Sequence, residues 1–131
     1  MEESSAPGNN KTILLADNEQ FIAVAYKDGL ERAGYNVVVA QDGQEALKLA
    51  KTLKPDMLLL ELIMPKINGF EVLQTIRKDP TLKQLPVIVL TNLSQKSDED
   101  EVRNLGVVDF MVKADVSLKD LLDRLDNFFS T

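Results

Sequence analysis

The sequence predicts an α/β fold: a doubly wound, five-stranded parallel sheet with five helices divided between its two faces. Three observations carry that expectation. Short apolar runs alternate with stretches of helical spacing along the 131 residues, the arrangement that repeated βαβ units produce. The runs are nearly continuous, as strands buried on both faces of a parallel sheet must be. Four of them finish on a polar residue, Asp17, Glu61, Thr91 or Lys113, at what would be strand carboxyl ends. Open α/β sheets bind their ligands at that end.

Each element has its own justification. Residues 1–10 are small and polar with a Pro-Gly pair, and are expected to form a disordered leader before a domain over 11–131. Thr12 to Ala16 is a short buried strand that ends at Asp17-Asn18-Glu19. Ile22, Tyr26, Leu30 and Ala33 recur at helical spacing, and Gly34 closes that helix. Tyr35 to Ala40 is a β-branched strand. Asp42-Gly43 turns the chain into a second helix with Ala46, Leu47, Ala50 and Leu53 on one face. Lys54-Pro55-Asp56 is the turn before the central strand, whose apolar run stops at Glu61.

The second half repeats the pattern. After a loop from Leu62 to Asn68, Asn68 is the expected N-cap of a helix carrying Phe70, Leu73 and Ile76 inward. That helix stops near Asp79-Pro80, because proline disfavours helical geometry in the residue before it. Pro86 to Leu90 is the fourth strand. A fourth helix falls between Ser94 and Leu105 and is the weakest element. Its acidic run Asp98-Glu99-Asp100-Glu101 suits a helix N-terminus, but only Val102 and Leu105 anchor it, so it is the expected mobile segment. Gly106 ends it, and Val107 to Val112 is the fifth strand. Leu118, Leu121, Leu122, Leu125, Phe128 and Phe129 follow the i, i+3, i+4, i+7 rule and define the last helix.

Bulk properties narrow the function. The net charge of −6 argues against nucleic acid, whose phosphates demand a basic face. No apolar run is long enough to span a membrane, and the N-terminus lacks the pattern of a secretory signal, so a cytoplasmic protein is expected. With no Cys and no His, thiolate chemistry, the usual zinc sites and most general-base arrangements are excluded. Glycine-rich phosphate loops are missing too. An enzyme is not expected.

In a sheet of order 2-1-3-4-5 the first and third strands flank the switch point, with the fourth and fifth beside them. Asp17, Glu61, Thr91 and Lys113 would then share one crevice. Any one of them alone reads as an ordinary strand terminus. The set of four is harder to dismiss.

Over residues 11 to 129 the sequence resembles the receiver domain of two-component response regulators. The resemblance rests on Ile13-Leu14-Leu15-Ala16-Asp17-Asn18-Glu19, on Leu59 to Leu73 with its Met64-Pro65 and Gly69-Phe70, on Pro86 to Thr91, and on Asp109 to Lys113. It implies a flavodoxin-like fold with Mg²⁺ held by acidic residues after the first strand. It also implies a phosphoryl group accepted from a sensor histidine kinase at the position of Glu61. Thr91 and Lys113 would bind the phosphoryl oxygens, and Asp17, Asn18, Glu61 and the Ile63 carbonyl would form the metal site. Thr91 and Phe110 correspond to the switch residues. The alternative for Phe110 is a strand residue packed on the last helix. The fourth helix, fifth strand and fifth helix would offer a homodimer or target face.

Four positions depart from the family pattern, all around the site. Glu61 stands where the phosphoacceptor is Asp, Asn18 where a second acid binds metal, Ala114 where Pro follows the Lys, and Asn92 where a small residue is usual. Glu is longer than Asp by one C–C bond, about 1.5 Å. Its carboxylate would reach into the space of an acyl phosphate and spoil an in-line geometry that tolerates little displacement. Asn18 removes one charge from a hard-cation site and weakens Mg²⁺ there. Lys113 is then the expected counter-charge of Glu61, and a trans bond is expected at Lys113-Ala114. The leading expectation is a pseudo-receiver with a degenerate phosphoacceptor site. It would act as a phosphorylation-independent or phosphomimetic interaction switch, require no cofactor, and serve a histidine kinase or a downstream signalling protein. The alternative is a Mg²⁺-dependent receiver still phosphorylated by a kinase.

Overall fold

A computed structural model describes residues 10–130. The predicted leader lies outside the described residues except for Asn10, whose backbone N–H donates to the Gly34 carbonyl. The elements run β1 (Thr12–Ala16), α1 (Gln20–Arg32), β2 (Asn36–Ala40), α2 (Gly43–Leu53), β3 (Met57–Leu60), α3 (Gly69–Lys78), β4 (Val87–Thr91), α4 (Lys96–Arg103), β5 (Asp109–Val112) and α5 (Leu118–Ser130). All strand pairs are parallel, in the order β2-β1-β3-β4-β5, so the expected flavodoxin-like sheet is formed.

The two faces of the sheet explain the continuous apolar runs. Ile13, Leu15, Met57, Leu59, Ile88 and Leu90 pack with α1 and α5 through Ala23, Leu30, Leu121 and Leu125. Leu14, Ala16, Leu58, Leu60, Val87 and Val89 pack on the opposite face with Ala46, Ala50, Val72, Leu73, Ile76 and Val102. Adjacent residues of a strand point to opposite faces, and both faces here are covered by helices. A polar residue inside β1, β3 or β4 would be buried on one of them, which is why polarity appears only where the strands stop.

Local capping follows the sequence closely. Asn68 accepts from the Glu71 N–H and Asp42 from the Glu45 N–H, opening α3 and α2. Gly34, at φ +100°, takes the left-handed turn after α1. Every described peptide bond is trans, including Lys113–Ala114.

Three expectations are adjusted. In α1 the buried residues are Ala23, Gly29 and Leu30, so Ala23 replaces Ile22 in the first turn, while Phe21 and Val24 face outward. β5 begins at Asp109 instead of Val107, after a turn in which the Val108 N–H donates to the Val87 carbonyl at 2.7 Å. α4 is shorter than expected, and Val102 is its only buried residue. Its N-cap Gln95 makes no side-chain capping bond. The turn after its C-terminal end is fastened by Arg77 of α3, whose guanidinium donates to the carbonyls of Leu105 (2.6 Å) and Gly106 (3.2 Å).

Candidate functional site

The strand ends deliver the site residues with little freedom. The Asp17 N–H donates to the Ala40 carbonyl (3.0 Å), Glu61 to Ala16 (3.0 Å) and Lys113 to Thr91 (2.8 Å). Each is thus the last rung of a parallel ladder. The side chains of Asp17, Glu61, Thr91 and Lys113 leave the sheet at its carboxyl edge and meet there, all four residues buried.

Lys113 is the hub. Its ammonium donates to Asp17 Oδ2 at 2.6 Å, to Glu61 Oε1 at 2.7 Å and to Glu19 Oε1 at 3.2 Å. The Glu61–Lys113 pair therefore forms as expected, but Lys113 is shared among three acids. The other Glu61 oxygen, Oε2, accepts from the N–H groups of Leu62 (2.7 Å) and Ile63 (3.1 Å) and from the Thr91 hydroxyl. Both carboxylate oxygens of Glu61 are consequently satisfied inside the protein. Among the described residues no buried side-chain nitrogen or oxygen lacks a partner.

Burial alone would push the Lys113 ammonium down, yet its hydrogen bonds to Asp17 and Glu61 and their charges outweigh that penalty and raise its pKa. A basic group whose pKa is raised by folding stabilises the fold fully below its unfolded value, about 10.4. That contribution disappears as pH rises through the higher folded value. Denaturant titrations should therefore show stability falling above about pH 10 more steeply in the parent than in Lys113→Met. Equal slopes would show that Lys113 is not held by these acids.

The remaining predicted residues divide. Asn18 is exposed, and Glu19 adds a third carboxylate to Asp17 and Glu61, with one oxygen from each of the three within 4.8 Å of the others. Glu19 was not among the predicted metal ligands. Its N–H donates to Asp17 Oδ1 at 2.9 Å, a local turn that carries its side chain back over the strand end. The Asp-x-Glu spacing is the clue to it in the sequence. Ile63 enters through its N–H, with its side chain largely exposed. Phe110 is buried in the core on the α2–α3–α4 face, in one cluster with Val102, so the alternative of packing on the last helix does not hold. Asn92 points across to the neighbouring loop, where its Oδ1 accepts from the Ala114 N–H at 2.9 Å.

The three carboxylates offer the hard oxygen donors that Mg²⁺ prefers. An ion there would be held by Asp17, Glu19 and Glu61 and would compete with the Lys113 ammonium for all three. Among the described residues no helix is long and apolar enough to cross a membrane.

The same fold recurs in known proteins. The receiver domain of the Francisella response regulator 1452 superposes with a TM-score of 0.85 at 30% identity, covering 92% of this chain and 98% of that one. The alkaline phosphatase synthesis transcriptional regulatory protein PhoP of Bacillus subtilis is 39% identical over 104 residues, 79% of this chain but 42% of that protein. The polar-differentiation response regulator DivK of Brucella anthropi is 29% identical over 103 residues, 79% of this chain and 84% of its own length. The chain thus spans under half of the Bacillus regulator and most of DivK. The response regulator receiver domain model matches residues 13–126, and the chain belongs to that family of two-component signalling modules.

Proposed function

We propose that this receiver domain works as a phosphorylation-independent or phosphomimetic interaction switch, with Glu61 in the place of a phosphorylated aspartate. One observation carries the reading: the Thr91 hydroxyl and the Lys113 ammonium both bond to the Glu61 carboxylate. These are the two groups that the family resemblance assigns to phosphoryl oxygens. With Glu61 they are satisfied without phosphate. The mimicry is partial, because a phosphorylated residue brings about −1.5 to −2 charge and three acceptor oxygens, against one charge and two oxygens here. An incomplete shift between the two states follows. Thr91 and Phe110 are the switch residues of this reading, and no catalytic residue is assigned.

The site is weakened for Mg²⁺ and no cofactor is required, since Asn18 is neutral and Lys113 already neutralises part of the acidic cluster. Partners are a sensor histidine kinase or a downstream signalling protein in the cytoplasm. A homodimer would use the α4–β5–α5 face, where Asp109 is flanked by Arg124 (3.0 Å) and Arg103 (3.6 Å).

The second reading, a Mg²⁺-dependent receiver that a kinase still phosphorylates, is favoured by the convergence of Asp17, Glu19 and Glu61. Incubation with acetyl phosphate and Mg²⁺ followed by intact-mass measurement separates the two. An unchanged mass is expected. The gain of one phosphate would overturn the first reading in favour of the second.

A further inference from the structure

β4 and β5 pair as far as Thr91 and Val112, and the Lys113 N–H to Thr91 carbonyl bond extends the pairing by one rung. Beyond it the strands end, and the next contact is made by a side chain. Asn92 Oδ1 accepts from the Ala114 N–H at 2.9 Å, reaching from the β4–α4 loop to the β5–α5 loop. The two residues joined by this bond directly follow the two that hold Glu61. Thr91 precedes Asn92, and Lys113 precedes Ala114.

We propose that Asn92 is a positioning residue, a side-chain latch that fixes the Thr91 and Lys113 strand ends together and so holds both groups on Glu61. The chemistry is specific at each end. Ala114 supplies an N–H that proline would lack, and Asn92 supplies a neutral acceptor that adds no charge beside Asp17 and Glu61. The two departures from the family pattern on this edge of the site are thereby parts of one hydrogen bond. Thr91 is held from its own loop as well, since its Oγ1 accepts from the Leu93 N–H at 3.3 Å. With the latch closed, the mouths of β4 and β5 move as one unit. With it open, the Lys113 N–H to Thr91 carbonyl bond is the last hydrogen bond between these two strand ends among the described residues. The β4–α4 loop packs Leu93 against the core and leads into α4 through Gln95, which makes no side-chain capping bond.

The latch rests on the reading of Glu61 as a group held by Thr91 and Lys113. Its test uses no phosphate donor, so its failure and the failure of that reading are distinguishable. Amide hydrogen exchange is followed by NMR in the full chain and in Asn92→Ala, Asn92→Asp and Ala114→Pro. In Asn92→Ala the Ala114 amide should exchange roughly three- to tenfold faster, the equilibrium weight of one such bond. The Thr91 and Lys113 amides should gain microsecond-to-millisecond exchange broadening. Asn92→Asp, which keeps an acceptor oxygen, should restore the Ala114 protection. Asn92→Ala should have no further effect on Thr91 and Lys113 once Ala114 is proline. Unchanged Ala114 protection in Asn92→Ala, or effects of the two substitutions that simply add, would overturn the proposal.

Discussion

Lys113→Met is expected to destabilise the domain by about 3–5 kcal/mol, the usual cost of removing one partner from a buried ion cluster. For a domain of this size that lowers the thermal midpoint by roughly 10–20 °C. Methionine retains much of the lysine stem, so packing changes little. The cost arises because Asp17 and Glu61 are buried and lose their shared cation. Glu19, with a largely exposed side chain, loses little. Adding Asp17→Asn to Lys113→Met should recover part of the loss, since one of the two stranded charges is then gone. A destabilisation below about 1 kcal/mol, the range of an exposed pair, would mean that the cluster is open to water.

Gly69→Ala should cost about 3 kcal/mol, the upper end for inserting a group into a filled site. A Cβ there would lie 2.3 Å from the Glu61 carbonyl oxygen and 2.6 Å from Leu62 Cα. Both are backbone atoms that cannot step aside. The gain of up to about 1 kcal/mol from placing Ala instead of Gly in a helix is too small to compensate. Gly29→Ala is the control. Its Cβ would meet the Cδ2 end of Leu118, a side chain that can rotate away, and its cost should be clearly smaller. Urea unfolding midpoints compare the two, and a larger loss at Gly29 would contradict the contact geometry. Because Gly69 abuts Glu61, its substitution should also shift the Thr91 and Lys113 amide resonances.

The sheet was legible because burial on both faces leaves an unambiguous mark: apolar runs that break only where the chain emerges. Given the order 2-1-3-4-5, the meeting of Asp17, Glu61, Thr91 and Lys113 follows from that mark, because they stand at the carboxyl ends of adjacent strands. Asn68 was legible because capping is local chemistry within four residues. What escaped depended on side-chain direction. Glu19 reaches Lys113 only because Asp17 folds the loop back, and α1 buries Ala23 because a small residue brings the helix close to the sheet. Arg77 sits in the last turn of α3 and was not singled out in the sequence. In the structure it donates to four backbone carbonyls, those of Lys83, Leu85, Leu105 and Gly106. The Asn92–Ala114 bond joins residues 22 apart in the chain. Neither residue announces the other, and only the departures from the family pattern single them out.

A crystal structure grown in Mg²⁺ at neutral pH tests the central claim most directly. The Glu61 switch requires the Lys113 ammonium in direct contact with Glu61, the Thr91 hydroxyl on the opposite oxygen, and no ion between them. A metal ion bridging Asp17 and Glu61, with Lys113 displaced from both, would contradict it.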